Sequence, residues 1–146
     1  MMHRWAALCV LALGALVPTI GHAQATQTPP PARERPGVEL GQNYPNPFNP
    51  TTTIPFVIGD PATCQDTDRE HVVSLRIYNI LAQLVAVPIL QGTGQQLLNV
   101  RLKCGTYTAY WDGHYLSSSR EVASGVYLYR IEVDGEVKVK KMIVSK

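Results

Sequence analysis

From residue 50 onward, apolar and β-branched positions alternate with polar ones in short runs, and turn-forming residues separate the runs. The runs predict strands at 52–58, 72–79, 84–89, 97–102, 106–111, 126–133 and 137–144. Seven short strands at this spacing suit an all-β, immunoglobulin-like β-sandwich. In the second strand Val73, Leu75 and Ile77 alternate with Ser74, Arg76 and Tyr78, the period-2 mark of one buried face. In the sixth, Tyr127, Tyr129, Ile131 and Val133 share a face, and Arg130 and Glu132 take the other. Asp134-Gly135 predicts a tight hairpin, because a type I′ turn needs positive φ at both central positions. The last strand carries Val137 and Val139 in one phase and Met142 and Val144 in the other, which predicts a bulge at Lys140-Lys141. Pro55 and Pro88 suit edge strands or bulges. No stretch keeps a helical period; Asn79, Ile80, Leu81 and Ala82 read as a link between two strands.

The N-terminal third follows another pattern. Residues 1–25 read as a secretory signal peptide: His3 and Arg4, an apolar run from Trp5 to Val17, Pro18, then small residues for cleavage after Ala23 or Ala25. The run falls short of the ~20 residues that span a bilayer, so no stable transmembrane segment is expected after cleavage. Cys9 sits too early to be a lipidation site. Residues 26–39 form a flexible linker; four prolines fall within TQTPPPARERPG. The sandwich is assigned to 40–146.

Composition sharpens this picture. The chain has 146 residues, room for one domain. A formal charge of +2, lowered to +1 by the loss of Arg4, is too small for a nucleic-acid binder. Of the three cysteines, Cys64 and Cys104 survive export as a pair and are expected to bond, closing a loop worth roughly 2–4 kcal/mol. Free thiols or half a metal site compete with this, but no Cys-x-x-Cys occurs and His71 and His114 follow no ligand spacing. Asp60 and the run Asp66, Thr67, Asp68, Arg69, Glu70 offer carboxylates to calcium. His71 and Ile77, however, stand where an EF-hand needs Gly and Glu, so a solvated acidic loop is expected. Asp112, His114 and the serines at 117–119 put acid, base and hydroxyl in one loop, without the separate chain segments or oxyanion motif of a triad. No enzyme activity, cofactor, metal or small-molecule substrate is expected.

Several motifs stand in one order. They are LGQNYPNPFNPTT at 40–52, VSLRIYNILAQLV at 73–85, WDG at 111–113, ASGVYLYR at 123–130 and KKMIV at 140–144. Together they resemble the C-terminal sorting domain (type A) of type IX secretion cargo, and also the immunoglobulin-like domain of the flagellar hook-capping protein. The resemblance covers 40–146. It implies a seven-stranded sandwich that acts as a translocation signal at the outer membrane. The implied partner is outer-membrane export or envelope machinery, and the implied location is the cell surface or outside, with the periplasm as a further possibility. Lys138, Lys140, Lys141, Met142, Ile143, Val144 and Lys146 become the expected recognition residues. Ala82 departs from the Gly of many relatives, and no cargo domain precedes the sandwich, so export or attachment without fused cargo is expected. The alternative is a structural or adaptor subunit of an envelope assembly. The signal peptide argues against a flagellar part proper.

The remaining motif residues read as structural. Pro45, Pro47 and Pro50 remove three donors and predict a rigid, extended lead-in. Within it, Asn43 is part of the motif. Asn46 and Asn49 are expected to close Asx-turns, and Tyr44 and Phe48 to pack on the sandwich edge. Trp111 is expected in the core, with Asp112-Gly113 turning the chain, Gly125 supplying backbone freedom and Tyr127 buried. The lysines of the last strand also suit an exposed edge guarded against aggregation.

Overall fold

A computed structural model describes residues 37–60, 64, 68–116 and 118–146. The expected signal peptide, and the expected linker as far as residue 36, lie outside them. The described chain is all-β: β1 (Val38–Leu40), β2 (Thr52–Ile58), β3 (Glu70–Asn79), β4 (Leu84–Ala86), β5 (Ile89–Leu90), β6 (Val100–Lys103), β7 (Gly105–Trp111), β8 (Gly125–Val133) and β9 (Glu136–Val144). One antiparallel sheet has the order β1-β2-β7-β5. The other has the order β4-β3-β8-β9, with β6 also paired to β3. Side chains from both sheets meet in one core, the arrangement of a β-sandwich.

The predicted period-2 faces are the observed ones. Val73, Leu75, Ile77, Tyr129, Ile131 and Val133 are fully buried and face Ile54, Phe56 and Ile58 of the other sheet within that core. Two further short strands raise the expected seven to nine. β1 pairs with the end of β2, Val38 opposite Ile58, so the sandwich begins two residues before the predicted boundary. The predicted strand 84–89 breaks at Val87-Pro88. Leu84–Ala86 pairs with β3 in one sheet and Ile89–Leu90 with β7 in the other. A residue without an N–H cannot continue a ladder, and here the chain changes sheet at it. Pro55 is not on an edge strand. It lies in β2 between β1 and β7, opposite the interruption where β1 has ended and only Gly41 N–H reaches its carbonyl, at 2.8 Å.

Two turns match their sequence signals. Asp134 (φ 48°) and Gly135 (φ 87°) are both left-handed, and the register runs unbroken from Val133–Glu136 to Gly125–Val144. That unbroken register corrects the expected bulge at Lys140-Lys141. Met142 and Val144 point into the core while Val137 and Val139 occupy the outer face, so one continuous strand satisfies both phases. At the β3–β4 turn Ala82 holds φ 59°. This left-handed position is sterically costly for any residue with a Cβ, which explains why Gly would suit it.

Candidate functional site

The expected recognition residues all lie on β9 or just beyond it, and the fold treats them differently. Met142 and Val144 are buried to 0% and 2% exposure. They are core residues and are withdrawn from any direct contact. Lys138, Lys140 and Lys141 are exposed, and Ile143 is partly so. Lys138 reaches Glu136 at 3.5 Å, a weak surface pair. Lys146 is tied back: its Nζ lies 2.7 Å from Glu121 and its N–H donates to Ser124 Oγ at 3.0 Å. The Lys146 hydrogen bond, then its charge, hold the Glu121 carboxyl below its ordinary value.

β9 is an edge strand, and the lead-in covers half of that edge. Phe48 N–H donates to Ile143 O, and Ser145 N–H donates to Phe48 O, both at 3.0 Å. Asn46 Oδ1 accepts Ile143 N–H at 3.0 Å, and Gln42 Nε2 donates to Lys141 O at 3.1 Å. Odd-numbered residues of β9 therefore turn their backbone groups to the open edge. Beyond Lys141 these groups are paired; at Val137 and Val139 no backbone partner stands on that side among the described residues. Asn46 bridges to β9 instead of closing the expected local turn.

The lead-in is bent, not extended, and its aromatic residues divide. Phe48 is buried and meets Trp111 edge-on at 5.5 Å between ring centroids. Tyr44 is 78% exposed, so it does not pack as expected. A buried polar knot holds the bend. Asn43 Nδ2 donates to Pro45 O and Thr52 Oγ1 at 3.1 and 3.0 Å. The Tyr129 hydroxyl donates to Gly41 O at 2.8 Å and accepts Asn43 N–H at 3.1 Å. Burial raises the Tyr129 pKa, which keeps this donor protonated. Pro47, Asn49 and Pro50 stand on the exposed side of the bend. Trp111 fills the core as expected and also contacts Tyr127. Gly113 (φ 77°) lies so close to Pro50 O that a Cβ would collide with it. Gly125 (φ 152°) has open space, so only its backbone conformation calls for Gly.

The acid–base loop lines a groove of about 620 Å³ with Tyr110, Tyr115 and Leu116. Asp112 Oδ1 accepts His114 N–H at 3.0 Å, and Asp112 Oδ2 lies 3.4 Å from His114 Nδ1. Ser118 Oγ accepts Arg120 N–H at 3.2 Å, and no hydrogen bond joins His114 to Ser118 or Ser119 among the described residues. Ser117 lies outside the described residues. The loop's hydrogen bonds order a turn and do not connect a base to a hydroxyl.

The cysteines and the acidic run close the far end. Cys64 and Cys104 stand at disulfide distance, 6.3 Å between Cα atoms, across the predicted separation. Asp68 pairs with Lys103 at 3.1 Å, and Glu70 lies 3.8 Å from Arg101. Asp66 and Thr67 lie outside the described residues. Sequence reading missed one pair here. The buried His71 donates from Nδ1 to Asp134 Oδ2 at 2.7 Å, and Val72 N–H donates to Asp134 Oδ1 at 2.9 Å. Burial works to raise the Asp134 pKa, but the His71 bond, the Val72 bond and nearby positive charge outweigh it and lower the value. The Asp-Gly turn signal marked this residue without revealing its partner 63 positions away.

No family model and no curated protein matches the chain. Among solved structures, the alkylpurine DNA glycosylase AlkC of Pseudomonas fluorescens, bound to DNA with an abasic-site analogue, is 13% identical with a TM-score of 0.41. The match covers 75% of this chain and 30% of the glycosylase, so this chain spans about a third of that protein. A conjugate transposon protein from Bacteroides vulgatus is 16% identical with a TM-score of 0.42, over 77% of this chain and 86% of that one.

Proposed function

We propose that this chain is a non-enzymatic, exported immunoglobulin-like module of the type IX sorting kind, directing passage to, or attachment at, the cell surface. The observation that carries the reading is the ordered run of motifs ending in an edge strand with three exposed lysines, a strand that the lead-in anchors from Lys141 onward. The anchoring supports a recognition role, because a partner would meet a strand fixed in place at no further ordering cost. Two features support the immunoglobulin-like assignment. Tyr127, near the start of β8, donates its hydroxyl to Ala123 O, four residues upstream, at 2.9 Å, as in a tyrosine corner. Taking β4 and β5 as one strand that changes sheet, and β1 as part of the lead-in, leaves seven. The partner is a protein of the outer-membrane export or envelope machinery.

A reporter carrying a secretory signal peptide at its N-terminus and residues 26–146 at its C-terminus, expressed in a bacterium with a type IX export system, tests this. The reporter is expected at the cell surface, and K138E/K140E/K141E is expected to retain it in the periplasm with the sandwich still folded. Equal surface delivery by the triple variant overturns the reading. Deleting 137–146 is a poorer test, since it removes Met142 and Val144 from the core.

A further inference from the structure

The β3–β4 turn presents Ile80 and Leu81 at 75% and 73% exposure. Apolar residues so exposed usually sit on loose loops, but this turn is braced. Asn79 Oδ1 accepts the N–H groups of Leu81 and Gln83, both at 3.0 Å, and Asn79 Nδ2 donates to Gln83 Oε1 at 2.7 Å. Asn79 N–H also donates to Gln83 O, and Ala82 N–H donates to Asn79 O. The two side chains are thus held outward side by side.

Behind the tip the outer face of the sheet continues apolar. Leu84, Tyr78, Leu128 and Lys141 stand in one cross-strand row, and Val126 pairs with Ile143 beside it. Leu84, Val126, Leu128 and Ile143 are 36–47% exposed. The next rows mix charge with apolar residues: Arg76 stands opposite Arg130 and Ser74 opposite Glu132, and β9 closes these rows with Val139 and Val137. Acidic charge therefore enters this face only away from the tip, first at Glu132. No carboxylate stands on the two apolar rows. Glu132 already lies 2.9 Å from Arg130 and 3.8 Å from Arg76. Lys141, at the rim of the apolar rows, has no ion-pair partner among the described residues.

We propose that this tip and the two rows behind it dock on an anionic lipid surface. A convex, rigid pair of aliphatic side chains needs no matching cleft in a bilayer interface, which closes around it. The free lysine at the rim then meets a phosphate headgroup. This inference does not rest on the sorting reading. Surface delivery without vesicle binding, or vesicle binding without delivery, separates the two.

The test uses residues 26–146, which contain every strand and the core found among the described residues. They are sedimented with vesicles of equal parts phosphatidylcholine and phosphatidylglycerol, and with phosphatidylcholine alone. The wild type is expected to partition onto the anionic vesicles. I80S/L81S should lower that partition at least about tenfold. Lys141→Gln should lower it about fivefold on anionic vesicles and leave the neutral ones unchanged. Leu116→Ser, an exposed leucine beside the groove and off this face, should change nothing, and all three variants should melt with the wild type. A wild type that ignores both vesicles, or an undiminished I80S/L81S, overturns the proposal and leaves the tip to a protein partner. Lys141→Gln binding anionic vesicles as well as the wild type does overturns the headgroup contact.

Discussion

The two halves of β9 pair with β8 in one unbroken register, yet they belong to different parts of the molecule. The C-terminal half drives Met142 and Val144 into the core and has its outer edge bonded by Asn46 and Phe48. The N-terminal half, from Val137 to Lys140, is exposed on both faces with an open edge. Backbone pairing to a neighbour is thus not what distinguishes a fixed strand from an available one. Burial of alternate side chains and cover on the second edge make the difference. A strand built this way can stay folded while part of it faces a partner.

The largest expected difference between the halves is thermodynamic. Met142→Ala removes a fully buried side chain and should cost about 2–5 kcal/mol in denaturant unfolding. Comparable losses on truncating Val139 would show that both halves carry the fold and would erase the contrast.

Asn43→Ala comes next. It removes both hydrogen bonds that Asn43 Nδ2 donates inside the bend and leaves Thr52 Oγ1 and Pro45 O bonded only to each other, at a cost of about 1–3 kcal/mol. The bend also places Phe48 and Asn46 on β9, so amide exchange should quicken at Ile143 and Ser145 while the amides of 137–140 keep their wild-type rates. Unchanged protection at Ile143 would mean that the lead-in holds β9 without this knot.

Much of this contrast could not be read from the chain. Strands such as β2, β3 and β8 were legible because their alternation is set by local burial, and the Asp134-Gly135 turn because its φ values are demanded locally. β1 was missed because three residues after a Pro-rich stretch carry no period of their own. The last strand's two apolar phases suggest a bulge, since alternation alone does not reveal that one phase is left uncovered. The lysines were legible as candidates. Which of their neighbours face the core, and which edge Asn46 covers, depends on contacts made 97 residues apart. Likewise, nothing local distinguishes Tyr44, which points to solvent, from Phe48, which fills the core.

Acid should act on the open half selectively. Its start is tied by the Asp134 carboxylate, which bonds His71 and Val72. The folded Asp134 pKa lies below its ordinary value. Its stabilisation is therefore complete above about pH 4 and is lost as pH falls through the lower folded value. On acidification, amide exchange should rise at Glu136 and Lys138, whose N–H groups face β8, before it rises at Met142 and Val144. In Asp134→Asn that early rise should be absent, because no proton is taken up there. Identical acid responses of variant and wild type would move the acid sensitivity elsewhere.

The smallest expected effect is also the sharpest check on the comparison. Val139 is 52% exposed and lies opposite Arg130, on the outer face where no second sheet covers it. Val139→Thr keeps the β-branched shape and strand preference while giving up only partly exposed apolar surface, so stability should change by no more than about 0.5 kcal/mol. The same exchange at Val144, 2% exposed and in the C-terminal half, buries a hydroxyl and should cost about 1–3 kcal/mol. The two substitutions are chemically identical and lie five residues apart on one strand, so their difference in unfolding midpoint isolates the environment of each half. Equal midpoints would mean that Val139 is covered in solution, as it would be if another chain already sat on the open half.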